Sequence, residues 1–352
     1  MSTPPPPSPP NDATPEVEVG AGTREEKEKN IKYLSTSEAY ERWAAIYDTD
    51  HNPLQALDDL ELKTLLPKFL NLVSDTFLTS QPPPPPPPLS TSSSLPTNPT
   101  TNNATKIKII DLGCGTGRNT AKLLSWKPPP RMIEKKGEVE VEIEIVGLDG
   151  SEKMLEKARE RCADVGGEGG GGGVESTTPY LKQRVRFQQY KIPIPIPIPI
   201  SSSPSSLPSS SPPSTARAHA LISTLLLEHL PLSTFFSLVS TLLLYPTGLL
   251  LLTNMHPEMG AISQAGFKDP VTGEKVRAGR SWIHGVGEVV EKAKGWGFEV
   301  LGGVREVGMD GLDMGVKGGL GLGPEMEVRM RKWKGTKCWF GIIFRFVGRA
   351  GI

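Results

Sequence analysis

The stretch Ile109-Ile110-Asp111-Leu112-Gly113-Cys114-Gly115-Thr116-Gly117-Arg118 decides the reading of this chain. An apolar run ends in an acid, three glycines alternate, and an amphipathic segment to Ser125 follows, which predicts a buried strand, a tight turn and a helix. In an open parallel sheet, ligands bind outside the carboxyl ends of the strands, where such a turn sits. Glycines there remove Cβ atoms and tolerate positive φ, so a ligand can lie against bare backbone.

Downstream, Ile145-Val146-Gly147-Leu148-Asp149-Gly150-Ser151 repeats the design: a strand over 139–148 ends in an acid and opens a helix over 151–163. A carboxylate at the tip of the neighbouring strand can accept both hydroxyl hydrogens of a ribose. Asp149 could instead cap the helix, and Ser151 could do the same. Farther on, the pattern predicts strands over 185–190, 218–224, 248–253, 298–307 and 338–347, with helices over 232–244 and 286–294. Strand and helix alternation of this kind argues for an α/β fold with a doubly wound, largely parallel sheet. Before the sheet, Tyr40, Trp43, Ala44 and Tyr47, then Leu54, Leu57, Leu60 and Leu62, recur near helical spacing with a break at Asn52-Pro53, predicting two or three helices. The segment between 254 and 285 reads as irregular.

Spacing narrows the ligand. A dinucleotide turn needs a third glycine where Arg118 stands, and a P-loop needs Gly-Lys-Ser/Thr where Gly117-Arg118-Asn119 stands, so NAD and a triphosphate are both disfavoured. A carboxylate at Asp111 would repel a pyrophosphate but could attract an amine. An amino-acid nucleoside fits best.

These residues resemble the class I S-adenosylmethionine-dependent methyltransferases, small-molecule branch. Asp111 to Gly117 is similar to their first motif, and Val146 to Ser151 with Met154 to their second. Leu221 to Leu230 resembles the fourth-strand motif and its loop, and Tyr245-Pro246-Thr247-Gly248 the turn before the fifth strand. The resemblance implies S-adenosyl-L-methionine as cofactor and a Rossmann-like, seven-stranded, mostly parallel sheet whose last strand runs antiparallel. It also implies that Asp111, Gly113, Gly115 and Gly117 face the methionine part, Asp149 the ribose, and Gly150 with Met154 the adenine, with Cys114, Ser223 and Leu225 completing the cofactor shell. Trp43 to Asp48 resembles the segment that covers the cofactor and would bring Tyr47 to its carboxylate. Two positions depart from the family pattern: Lys191 and His219 stand where acids are usual.

A sulfonium methyl is already an electrophile, so the enzyme mainly has to align an acceptor and exclude water, and no metal is required. A base would help remove the acceptor's proton. Glu228 and His229, after the fourth strand, and His284, before a late helix, are the candidates. His256 could line the acceptor pocket or belong to a turn beginning at Pro257, and Trp282 and Tyr33 are further pocket candidates. The expected activity is methyl transfer to a small organic acceptor, with a binding module that does not turn over, or a protein or RNA methyltransferase, as alternatives.

Composition sets the frame. The chain has 352 residues with 37 Gly and 35 Pro. Setting aside a tail over 1–30 and low-complexity inserts near 79–105, 128–138, 164–179 and 191–215 leaves about 240 residues, which suits one domain. The seven-proline run 82–88 favours an extended linker. Thirty-nine basic and 39 acidic side chains cancel, so nothing global recruits nucleic acid or a membrane surface. Three cysteines without a CxxC pair suit a reducing compartment, and the Pro-rich start lacks a leader's apolar run, so a cytoplasmic location is expected. Leu230 to Thr253 has no charge over 24 positions, but Pro231, Pro246 and Gly248 cut it into a short helix and a strand rather than a membrane span. Composition does not indicate an oligomeric state.

Overall fold

The computed structural model describes residues 31–78, 105–128, 141–166, 173–175, 181–193, 217–310 and 324–348. The opening tail, the proline run and most of the inserts lie outside them.

The main sheet is built from β2 (Thr105–Leu112), β3 (Val141–Asp149), β5 (Leu181–Gln189), β6 (Ala220–Thr224), β7 (Leu249–Met255), β10 (Phe298–Gly308) and β11 (Lys337–Phe346), in spatial order β10-β11-β7-β6-β2-β3-β5. Strands β7, β6, β2, β3 and β5 pair in parallel, while β11 is antiparallel to both β7 and β10, as the resemblance implied. A three-residue strand, β4 (Gly173–Glu175), adds an eighth member antiparallel to β5, inside the glycine-rich stretch read as an insert. Strand β5 also begins four residues before the predicted start: its alternating Lys182, Arg184 and Arg186 hid the early half, because that face is open enough to hold charge.

Successive residues of a strand face opposite sides, and β2 shows it directly. Ile107 and Ile109 enter one apolar cluster, with α2 (Pro53–Phe77), α3 (Arg118–Ser125) and α4 (Glu152–Gly166) on that side. Ile110 and Leu112 enter the other, covered by α5 (Leu232–Leu242) and α7 (Val286–Gly295). The uncharged stretch 230–253 thus divides into an 11-residue helix and the start of β7. No described helix is long and apolar enough to cross a membrane.

Two helices precede the sheet, α1 (Thr36–Trp43) and α2, and the break between them has a local cause. Asn52 caps α2, its Oδ1 accepting from the Leu54 amide at 3.0 Å, and Pro53 takes the first helical position, where a missing N–H costs nothing. The segment expected to be irregular is not. It holds α6 (Pro257–Ile262) and the hairpin β8 (Gly266–Lys268) and β9 (Lys275–Ala278), and β9 pairs in parallel with β1 (Ile31–Leu34) to make a second, three-stranded sheet. These strands span three to four residues each, too short for a periodicity signal, and β1 finds its partner more than 240 positions away. The last helix, α8 (Pro324–Arg331), leads into β11.

Candidate active site

The glycine turn sits at the carboxyl end of β2, and its three glycines do different work. All have positive φ: 74° at Gly113, 53° at Gly115 and 75° at Gly117. A Cβ on Gly113 would meet the Leu226 side chain at 3.0 Å, and one on Gly117 would meet the Ala158 backbone at 2.9 Å. Those two are bare because protein presses against them. A Cβ on Gly115 would find nothing nearer than Tyr47 Cε1 at 4.0 Å, so this glycine is the one of the three that borders open space. Gly113 and Cys114 spend their amides on the Leu148 carbonyl, at 2.8 and 3.0 Å, which pins the turn to the end of β3. The Cys114 side chain is buried, and burial pushes its thiol well above the ordinary range.

Asp149, at the tip of β3, reaches across to the same turn. Its Oδ2 accepts the Gly115 amide at 2.9 Å and its Oδ1 the Ser151 amide at 2.9 Å. Ser151 caps α4, its Oγ accepting from Met154 N at 3.2 Å, so the two residues share the role left open in the sequence. Each Asp149 oxygen retains a lone pair. Gly150 leaves open space, with the Tyr190 carbonyl 3.9 Å from where its Cβ would be. Met154 is fully buried in a cluster with Ala39, Trp43 and Phe267, so its side chain also serves the docking of α1 and the small sheet.

Asp111 is wholly buried. Thr120 Oγ1 donates to its Oδ2 at 2.6 Å, its Oδ1 has no protein partner, and burial raises its carboxyl to about 6. Ser223 is equally buried with an unpartnered hydroxyl. Leu225, two residues on, adopts φ 53°, a strained backbone for a non-glycine residue, and its amide donates to the Thr253 carbonyl at 2.9 Å.

The segment after α1 closes over the turn. Tyr47 stacks edge-on against Trp43 at 5.0 Å. Asp48 accepts Thr116 Oγ1 at 2.8 Å and pairs with Arg161 at 2.8 Å, tying this cover to the turn and to α4. Tyr40, Tyr47, Leu225 and Glu228 then line one end of a cavity of about 760 Å³ that runs between α1, the small sheet and α8. Glu228 lies on a 3₁₀ turn, Leu227–His229, after β6; its Oε2 is buried without a partner, and burial, reinforced by the charge of Asp58, raises its carboxyl to about 8. His229 shares a 2.8 Å hydrogen bond with Tyr40 Oη through Nε2, and burial lowers its imidazole to about 4.

His284, His256 and His219 are committed elsewhere. His284 Nε2 is hydrogen-bonded to the Leu230 carbonyl at 2.8 Å, fastening the loop before α7 to the loop after β6. His256 caps α6, its Nδ1 accepting from Glu258 N at 3.2 Å, and its Nε2 meets Glu306 at 2.9 Å. His219 Nδ1 accepts the Lys108 amide at 3.0 Å. Lys191 is exposed, Tyr33 points largely to solvent, and Trp282 is half-buried with its amide on the Glu228 carbonyl at 2.8 Å.

Two participants went unread in the sequence. Tyr40 was visible only as one aromatic on a helix face, and its pairing with His229 spans 189 positions. Asp58 is buried in α2, where it accepts from Thr253 Oγ1 at 2.7 Å, Trp339 Nε1 at 2.8 Å and Arg118 Nη2 at 2.6 Å.

Comparison with known proteins meets this geometry. A family model described as a methyltransferase domain matches residues 103–168, the span that holds both the glycine turn and Asp149. An uncharacterized methyltransferase of Emericella nidulans is 39% identical over 317 residues, covering 89% of this chain and 91% of that protein. The chain belongs to the class I S-adenosylmethionine-dependent methyltransferases. Among solved structures, this methyltransferase is similar to the DhpI–SAH complex, at 13% identity, TM-score 0.42, and coverage of 89% of this chain and 95% of that one. It is also similar to magnesium protoporphyrin IX methyltransferase from Synechocystis with bound SAM, at 14% identity, TM-score 0.41, and coverage of 88% and 92%.

Proposed function

We propose that the protein transfers a methyl group from S-adenosylmethionine to a small organic acceptor held in the cavity beside Glu228. One observation carries the reading: Tyr47 both borders the open face of Gly115 and lines the 760 Å³ cavity, so donor space and acceptor space share a wall. Cavities of about 300–1,000 Å³ are the size that takes small molecules.

The residues present fit the donor. Gly115 and Gly150 leave bare backbone, the Asp149 oxygens keep lone pairs for two hydroxyls, and Asp111 and Ser223 are buried polar groups with unmet hydrogen-bonding capacity beside the turn. When bound there, S-adenosylmethionine supplies a methyl already activated on a sulfonium. The chain's part is alignment, exclusion of water and handling of the acceptor's proton. An acceptor taking that methyl would have to give up a proton, which a base of this chain would receive. Glu228 suits that role: it is among the residues that line the cavity, its Oε2 is buried without a partner, and a carboxyl near 8 is poised close to working pH. His229 acts on the cavity through Tyr40, whose hydroxyl it holds. His284, tied to Leu230, serves as a brace.

We further read the location as cytoplasmic, with neither nucleic acid nor a membrane as partner. All three cysteines are buried and unpaired, which suits a reducing compartment.

Isothermal titration with S-adenosylmethionine, followed by transfer of labelled methyl to a metabolite extract, tests the proposal. Binding with label in a small molecule supports it. Binding without label in any fraction turns the reading to a module that does not turn over, and label confined to protein or RNA overturns the small-molecule acceptor.

A further inference from the structure

The cavity has two chemically distinct ends. Its inner end holds Tyr40 and Glu228, and a carboxyl raised to about 8 is uncharged at neutral pH. Its lining is also aromatic: Trp43 and Phe267 stack at 5.4 Å with an 18° interplanar angle, and buried Trp333 is among the lining residues too. Its solvent end is cationic. Lys268, Lys275, Arg329 and Lys332 are exposed lining residues there, and Asp50 is the carboxylate among the described lining side chains at that end. Asp50 accepts the Trp43 indole N–H at 2.7 Å and lies beside Arg329, whose guanidinium donates to the Asp50 and His51 carbonyls, so the cationic character at this end rests on the lysines. Partial burial, with a smaller contribution from the charge of Arg329, pushes the Lys332 ammonium below its usual range.

We infer that the acceptor is an amphiphilic anion: an apolar body between Trp43, Phe267 and Trp333, an anionic group at Lys268 and Lys332, and the atom to be methylated at the opposite end, beside Glu228. The inference rests on the methyltransferase reading and adds to it the class of acceptor. With its anionic group held at the lysines, such a molecule keeps its charge at the far end from Glu228, whose carboxyl must ionise to act as a base, so the two do not repel at close range. The cationic mouth also draws anions toward the opening before contact, an effect that falls with ionic strength. Carboxylate and phosphate share this chemistry.

The test uses the full chain saturated with S-adenosylhomocysteine and four probes of one length: octanoate, octyl phosphate, octanamide and octylamine. Calorimetry is expected to give either anion at least tenfold tighter binding than the amide, with the amine weakest; the better anion tells carboxylate from phosphate. Lys268→Glu with Lys332→Glu should abolish the anion preference while leaving octanamide and S-adenosylhomocysteine affinities unchanged, which a misfolded variant could not do. Equal affinity for all four probes, no binding by any, or an anion preference that survives the double substitution overturns the inference. Failure to bind S-adenosylhomocysteine at the outset strikes the methyltransferase reading instead.

Discussion

The Gly115 amide donates to Asp149 Oδ2 at 2.9 Å, joining the open glycine of one strand's turn to the acid at the tip of the next. The carboxylate therefore has two tasks: it fixes the turn's shape, and it offers its remaining lone pairs to the space beside Gly115. Asp149→Ala should weaken S-adenosylmethionine binding by about 1.5–3 kcal/mol, the worth of charge-assisted hydrogen bonds. Calorimetry gives the binding change, and thermal melts without ligand give the separate loss from the freed Gly115 and Ser151 amides. Binding that holds while the melt drops would reduce Asp149 to a brace for the turn.

The glycines divide in the same way. Gly115→Ala places a methyl in open space, so its folding cost should be about 1–2 kcal/mol for the left-handed backbone alone. S-adenosylmethionine binding should weaken at least tenfold, because the methyl occupies the space we assign to the ligand. Gly117→Ala drives its methyl to within 2.9 Å of the Ala158 backbone, and overpacking of about 1–3 kcal/mol adds to the same strain. The pair should separate: Gly115→Ala as the binding defect and Gly117→Ala as the stability defect, read from titration and denaturant unfolding. A reversed order would place the ligand elsewhere.

Much of this was legible because β2 and β3 carry their signals within a dozen residues each: a β-branched run, an acid, a glycine and a helix start. Asp149 and the glycine turn could be paired from sequence because parallel neighbours end at one edge of a sheet. The acceptor side was not legible. Tyr40 meets His229, and Asp58 meets Trp339 across 281 positions, through side-chain contacts that leave no local pattern. The small sheet escaped because its strands, three to four residues each, are too short a run for alternation to show. The glycine triplet was legible as a motif but not in its parts: which glycine is bare for a ligand and which for a neighbour depends on Leu226 and Ala158, both distant in sequence.

Glu228 gives a pH signature in activity and stability together. Its folded carboxyl lies near 8 against an ordinary value of 4.5, so the native state holds the proton more tightly than the unfolded chain does. Its contribution to stability is full below pH 4.5 and declines as pH rises through about 8. If it is the base, kcat rises over the upper part of that window as the carboxylate forms. Glu228→Gln should flatten the stability decline measured by denaturant melts between those limits and lower kcat, leaving S-adenosylmethionine affinity unchanged. A rate that keeps its pH profile in the Gln variant assigns the proton to another group.

Asp58 holds α2 to the carboxyl edge of the sheet through three donors, Arg118 among them. Removing the carboxylate leaves the indole of Trp339 and the hydroxyl of Thr253 buried without their acceptor, and Arg118 with Asp59 as its remaining carboxylate partner here. Breaking one side of a buried ion pair costs about 3–5 kcal/mol, so Asp58→Ala should lose about that much by denaturant unfolding. Asp58→Asn keeps an acceptor oxygen and should lose less. Equal losses would mean that packing, not the charge, is what Asp58 contributes.

Leu225 reverses the usual expectation for a small substitution. Its φ of 53° is where side chains are strained and glycine is not. Leu225→Gly relieves about 1–2 kcal/mol of that strain, offset by about 0.5–1 kcal/mol of extra backbone entropy in the unfolded chain and by the lost contacts of a half-buried side chain, for a net change within about 1 kcal/mol. Leu225→Val retains more apolar surface but puts a β-branched residue in the same backbone region, where it is a genuine outlier. Valine should therefore be the more damaging substitution by at least about 1 kcal/mol in denaturant unfolding, despite its closer size. A glycine variant less stable than the valine variant would mean that packing against the cavity outweighs the backbone at this position.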